Sequence, residues 1–231
     1  MVGKGIERKL FMYKYVEDKD FLKRAKSTCS NLMKELENIL RNEYDINTQF
    51  FLVGSGARNM VTQNENGPID FDYNLNVFDG FDYDERDLKE NVRKAFNKVM
   101  KNHNLNDVQD STSSLTTANF HFTDEPSIEF SMDVCIVAKD NRDLWHRLKH
   151  EKTGFTYNDR YFWNEAPNSK NYSQKADTIK TVPGWWEIVR NHYLEIKNNY
   201  LVQNDHDHPS FICYVQAVND VYNTMKQKKL I

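Results

Sequence analysis

The ten residues from Pro68 to Val77, PIDFDYNLNV, carry two carboxylates, Asp70 and Asp72, inside a run that is otherwise hydrophobic and neutral. Side chains on a strand alternate between its two faces. Ile69, Phe71, Tyr73, Leu75 and Val77 therefore share one side, and Asp70, Asp72, Asn74 and Asn76 share the other. Two carboxylates about 7 Å apart along a strand raise each other's pKa unless something cationic sits between them. A divalent ion is the economical partner. Mg²⁺ takes one or two carboxylates together with phosphate oxygens and water rather than a full protein cage. Two such ions roughly 3.5–4 Å apart can clamp the attacking and leaving oxygens of an in-line phosphoryl displacement.

A third carboxylate stands in SIEFSMDVCIV. There Phe130, Met132, Val134 and Ile136 fall on one face, and Glu129, Ser131, Asp133 and Cys135 on the other. Asp133 sits in the most apolar part of this strand, where a charge without a partner is costly. If the two strands are neighbours, Asp133 converges with Asp70 and Asp72; Glu129, nearer a turn, is the spare candidate. Upstream, FLVGSG ends a hydrophobic run in Gly54, Ser55 and Gly56. These glycines let backbone N–H groups come close to an anion, and the Ser55 hydroxyl adds a donor. A lone Gly-Ser-Gly is more often only a turn, and a lone Asp-x-Asp is common on exposed strands. The full set in this order is much rarer.

The elements that must position these groups are legible from periodicity. Apolar residues from Phe21 to Leu40 recur at three- and four-residue steps and predict an amphipathic helix, with Asp18 or Asp20 as its cap. A strand over 48–54, a short helix after Ser55 reaching Met60, and a strand over 68–78 follow. DYDERDLKENVRKAFNKVMKNHN predicts a second helix capped by Asp82 or Asp84, and the acids from Asp79 to Asp87 suit its start. Residues 115–123 and 127–138 alternate around TDEP and read as a hairpin. The segment from 141 to about 170 is polar and aromatic, with turns at Thr153-Gly154 and Ala166-Pro167; it fits a hairpin or short helices. A helix starts after Pro183-Gly184 with Trp185, Val189 and Ile196 in phase. A last one carries Phe211, Ile212, Val215, Val218, Val221, Tyr222 and Met225. The fold class is α+β: a mixed sheet flanked by helices over residues 1–140, then a mostly helical lobe over 141–231.

Composition narrows the function. With 39% apolar and 28% charged residues the chain is globular rather than disordered. Its net charge of −3 argues against a protein built to grip long nucleic acid. No run approaches the ~18 apolar residues of a membrane span, and the first residues lack the apolar core of a signal peptide. Cys29, Cys135 and Cys213 are odd in number and far apart, as reduced thiols are. A cytoplasmic protein is expected.

FLVGSG, PIDFDYNL and FSMDVCIV, taken together, resemble the DNA polymerase β-like nucleotidyltransferase superfamily: a strand ending in Gly-Ser, a strand with Asp-x-Asp, and a third acid on a neighbouring strand. The resemblance spans residues 48 to 138. It implies that Gly54, Ser55 and Gly56 hold the triphosphate of an NTP such as ATP. It implies that Asp70, Asp72 and Asp133 are catalytic and coordinate Mg²⁺ or Mn²⁺, with Asp133 suited to help deprotonate the acceptor hydroxyl. The helical region is similar in arrangement to the second lobe of oligoadenylate-synthase-like and cyclic-dinucleotide-synthase-like members. Many relatives continue from Gly-Ser into an Arg-Gly-Thr-like segment, whereas here Arg58 precedes Asn59-Met60; Arg58 fits a triphosphate contact and a surface residue equally. The implied reaction transfers NMP to a hydroxyl and releases pyrophosphate. The acceptor is open: a nucleotide, a small molecule, an RNA end or a protein side chain.

Two rival functions stay on the page. A nucleotide-binding module of the same fold without turnover has no need of three charges on one cleft. A metal-dependent phosphodiesterase usually counts several histidines among its ligands, and none lies near these strands. Elsewhere, Asp205, His206, Asp207 and His208 invite a metal reading or a capping loop before a helix. Trp185 and Trp186 fit base stacking or core packing. Lys175 and Lys180 fit phosphate contacts or solvated surface.

Overall fold

In the computed structural model, which describes residues 12–166, 170–203 and 210–231, the chain forms these elements. They are β1 (Tyr13–Tyr15), α1 (Lys19–Tyr44), β2 (Thr48–Leu52), α2 (Gly54–Arg58), β3 (Thr62–Asn64), β4 (Ile69–Val77) and α3 (Glu85–Asn102). Next come β5 (Gln109–Asp110), β6 (Leu115–Thr116), β7 (Phe120–Phe122), β8 (Glu125–Lys139), β9 (Trp145–Glu151) and β10 (Arg160–Glu165). Helices α4 (Lys170–Lys180), α5 (Trp185–Val202) and α6 (Ser210–Gln227) complete the order. The architecture is α+β, with a mixed sheet flanked by helices and a helical C-terminal part. Two compact units divide it: Val16–Val61 with Asn66–Pro167, and Met1–Tyr15 with Thr62–Glu65 and Asn168–Ile231.

The larger unit is built on a sheet of order β10-β9-β8-β4-β2, with β6 and β7 also pairing on β8. Among the described strands of this sheet only the β4–β8 pair is parallel, because α3 and the strands after it carry the chain back between them. Alternation in β4 follows the pattern seen in the sequence: Ile69, Phe71, Tyr73, Leu75 and Val77 are buried, while Asp70 is exposed and Asp72 half-buried. The buried row joins Leu32, Leu36 and Leu40 of α1 and Val92, Phe96 and Val99 of α3 in one core. Asp18 caps α1, accepting from the Phe21 amide at 2.8 Å, and Asp84 caps α3, accepting from Asp87 at 3.0 Å.

Register is locked near the carboxylates by aromatic packing. Phe130 pairs across from Ile69 and meets Phe120 at 4.5 Å, Phe122 at 5.1 Å, Phe21 at 5.9 Å and Phe71 at 6.3 Å between ring centroids. A one-residue slip would turn this ring to the opposite face and expose it.

Residue 140, expected as a boundary, falls between two paired strands: Val137 and Ala138 of β8 face Arg147 and His146 of β9. The aromatic segment after it is a hairpin, β9–β10, in register from Arg160–Glu151 to Glu165–His146. Of the hairpin expected over 115–138, only β7 and β8 form the tight pair, with Phe122 opposite Glu125. Leu115 and Thr116 pair instead farther along β8, with Val134 and Asp133.

In the smaller unit, β1 pairs antiparallel with β3. Thr62–Asn64 lie between the helix expected to reach Met60 and the strand expected from 68, and three mixed residues carry no periodicity to announce a strand. Buried Asn198 of α5 accepts from the Tyr13 amide at 2.7 Å and donates to its carbonyl at 3.1 Å. Helix α4, unread in the sequence, buries Ala176 and Ile179 and no other described residue, too narrow a stripe to announce itself. In α6 the buried face runs through Cys213, Tyr214, Ala217, Val218, Val221 and Met225, whereas Phe211 and Ile212 are exposed. No helix among the described residues is long and apolar enough to cross a membrane. The sequence from Asp205 to His208, with its metal or capping reading, lies outside the described residues.

Candidate active site

The wet face of β4 and β8 gathers the acids. Parallel pairing sets Asp72 beside Asp133 and Asp70 beside Ser131. The Ser131 hydroxyl donates to Asp70 Oδ1 at 2.5 Å. Across the other edge of β8, Thr116 pairs with Asp133 and its hydroxyl donates to Asp133 Oδ1; Ser114 Oγ lies 3.4 Å from the same oxygen. Glu129, the spare acid, is exposed and accepts from Asn119 at 3.1 Å.

Asp72 is the strained member of the trio. Burial, then the charge of Asp133, then that of Asp70 push its pKa up to about 6; the charges of Arg58 and Arg147 offset part of this. Burial also raises the thiol of Cys135 on the same face.

The glycine turn is built against this carboxylate. Val53 donates its amide to the Asp72 carbonyl at 2.8 Å, and the chain then enters α2. Gly54 has φ +62°, and a Cβ there would overlap Asp72 Oδ2 and lie 3.0 Å from Cγ. Only glycine meets both demands. Gly56 is buried, its Cβ position 3.2 Å from the Phe71 ring. Ser55 is half-buried. Arg58 donates to the Gly54 carbonyl at 2.8 Å. Lys26, reaching from α1, donates to the Gly56 carbonyl at 2.6 Å and to Asn59 at 3.3 Å. Two cations thus brace the turn.

All six residues singled out in the sequence, Gly54, Ser55, Gly56, Asp70, Asp72 and Asp133, therefore belong to one end of one sheet. Sequence reading missed Thr116, Ser131, Lys26 and Arg147. Ser131 was signalled by sharing the face of Asp133; the other three come from distant segments with no local mark. Lys175 and Lys180 are engaged within the helical unit: Lys175 donates to Asn219 at 2.7 Å, and Lys180 lies 3.5 Å from Asp177 and 4.7 Å from the Trp186 ring.

Three carboxylates on one wet face, one of them pushed up to about 6 by burial and by the charges of the other two, have the donor chemistry of a hard divalent cation. As they stand, Asp70 and Asp133 take hydroxyl donors instead. Among the described residues no three histidine, cysteine or acidic side chains are gathered closely enough to hold a metal ion.

The fold is similar to that of solved nucleotide-bound proteins, a cyclic dinucleotide synthase among them. No protein-family model matches the sequence, and no curated protein matches it. Among solved structures, CdnC of E. coli MS115-1 with ATP superposes with a TM-score of 0.54 at 15% identity, over 90% of this chain and 62% of that one. The CdnE cyclic dinucleotide synthase of Elizabethkingia meningoseptica, with GTP and Apcpp, gives 0.52 at 14% identity over 84% and 69%. DncV of Vibrio cholerae, bound to 3'-deoxy GTP, gives 0.54 at 14% identity over 86% and 51%. The chain thus spans about half to two thirds of the length of these neighbours.

Proposed function

We propose that the protein is a divalent-metal-dependent nucleotidyltransferase that moves NMP from an NTP to a hydroxyl of a second nucleotide and releases pyrophosphate. The observation that carries this reading is the junction of Gly54 with Asp72, next to Asp133: a phosphate-approachable turn and paired carboxylates packed into one corner. Asp70, Asp72 and Asp133 would hold Mg²⁺ or Mn²⁺, which would supply positive charge to the phosphates when bound. The protein's own share is positioning. Gly54, Ser55 and Gly56 receive the triphosphate, with Lys26 and Arg58 holding the turn in shape. Thr116 and Ser131 aim Asp133 and Asp70. Asp133, on the strand beside Asp72, accepts the proton of the attacking hydroxyl. Such electrostatic and orientational effects account for most of the catalysis in phosphoryl transfer.

The nucleotide acceptor is supported by neighbours solved with GTP, ATP or a GTP–Apcpp pair, one of them described as a cyclic dinucleotide synthase. A cytoplasmic setting, a catalytic lobe that continues past residue 140 through the β9–β10 hairpin, and a helical second lobe belong to the same proposal. A second reading, a nucleotide-binding module without turnover, draws on the hydroxyls that already satisfy Asp70 and Asp133.

The test is incubation of the full chain with ATP and GTP, singly and together, with Mg²⁺ or Mn²⁺, followed by mass spectrometry and a pyrophosphate assay. A linear or cyclic nucleotide product that disappears in Asp72→Asn and Asp133→Asn supports the enzyme. NTP binding with no product under any of these conditions would favour the module.

A further inference from the structure

A cleft of about 540 Å³ opens in the larger unit, among α3, β5, the end of β9 and the loop leading into β10. It belongs to the other side of the sheet from the acids. Directly paired residues share a face, so Arg147, opposite Val137, lies on the Asp133 side, and its charge acts on Asp72 and Cys135. Leu148 and His150 alternate to the opposite side, where Leu148 joins the core beneath α1 and α3. His150 lines the cleft.

The charges around this cleft are unevenly matched. Asp110 is met twice, by Lys89 Nζ at 2.8 Å and by His150 Nδ1 at 2.5 Å. Asp159 is met by His150 Nε2 at 3.0 Å and by the Thr153 amide at 2.8 Å. Glu90 is met by Arg93 at 2.6 Å. Every carboxylate on the wall is thus answered from within the protein. Arg86 and Lys152 are not answered in the same way. Among the described residues Arg86 donates to the backbone carbonyls of Thr156 at 3.2 Å and Asp159 at 2.9 Å, and lies over the Tyr161 ring at 4.9 Å. Lys152 donates to the Asp110 carbonyl. Neither forms an ion pair among the described residues. The volume suits a small molecule, and apart from His150 the four cations Arg86, Lys89, Arg93 and Lys152 exceed the three carboxylates by one charge, with Arg86 offering a guanidinium fork matched to oxyanions.

We propose that this cleft binds a small-molecule oxyanion, a phosphate monoester or a carboxylate, at a site separate from the nucleotidyltransferase face. Arg86 and Lys152 supply the charge, while the Lys89–Asp110–His150–Asp159 chain holds the walls rigid. The site requires nothing of the proposed reaction and stands if that reading fails.

The experiment titrates the full chain, at constant ionic strength, with glycerol 3-phosphate and separately with malonate. Binding is read by calorimetry and by amide shifts in an ¹⁵N spectrum. Saturable binding of one of the two, with shifts at residues 150–161 and affinity reduced about tenfold in Lys152→Gln, as loss of one charge-assisted bond implies, supports the site and tells phosphate from carboxylate. Lys152→Arg should restore it, and Asp72→Asn should bind as the parent does. No saturable binding of either probe overturns the proposal. So does binding indifferent to Lys152→Gln, or binding that Asp72→Asn alters, which would put the anion at the glycine turn.

Discussion

Gly54 and Asp72 are fitted to each other: a Cβ on Gly54 would overlap Asp72 Oδ2 and lie 3.0 Å from its Cγ, while the glycine backbone sits at φ +62°. The phosphate-approachable turn and the central carboxylate are thereby one unit, and neither can move without the other.

Gly54→Ala should therefore cost stability twice over, through left-handed strain and displacement of the carboxylate. A loss of roughly 1–3 kcal/mol is expected, read by urea denaturation, together with loss of any transferase activity. Gly154, at φ +87° with nothing within 4 Å, provides the control: alanine there meets strain without a clash and should cost less.

Asp72 predicts a pH dependence of definite sign. Its folded pKa, about 6, lies above the ordinary aspartate value of 3.8. Between these values the native state holds more protons than the unfolded one, so stability falls as pH rises from about 4 through 6. The contribution present at low pH, of order 1–3 kcal/mol, is lost at neutral pH. Asp72→Asn should flatten that slope in denaturation curves recorded across the range. Under the proposed function, added Mg²⁺ should restore stability above pH 6 in the parent and not in Asp72→Asn.

Thr116 acts on Asp133 through a hydroxyl. Thr116→Val keeps the shape of the side chain and removes the donor that aims the carboxylate. Pyrophosphate release should drop about tenfold, with thermal stability almost unchanged. Thr116→Ser should recover the rate.

Lys89 is 1% exposed on a helix whose other buried residues are apolar, and it exists there to answer Asp110. Lys89→Met should destabilise the fold by about 1–3 kcal/mol, because it removes one of the two partners of Asp110 and leaves His150 as the other. Adding Asp110→Asn should return part of that loss, a coupling that a double-mutant cycle in denaturant measures directly.

Much of the site could be read without the structure because its parts are local. Alternation along PIDFDYNLNV is enough to send Asp70 and Asp72 to one face and the aromatics to the other, since the pleat has a period of two. Alternation along FSMDVCIV does the same for Asp133, and the helical stripes of 21–40 and 88–99 show what covers the apolar rows. Tertiary structure alone decided that β4 and β8 lie side by side with Asp72 level with Asp133. That register depends on Phe130 finding Phe21, Phe71, Phe120 and Phe122, contacts between segments up to about a hundred residues apart. The same holds for Thr116 and Lys26, and for the cleft of Arg86, Asp110, His150, Lys152 and Asp159. Each of these is an ordinary polar residue in its own segment. Their meaning comes from the three-dimensional pairing of charges and hydroxyls, to which no local periodicity gives access.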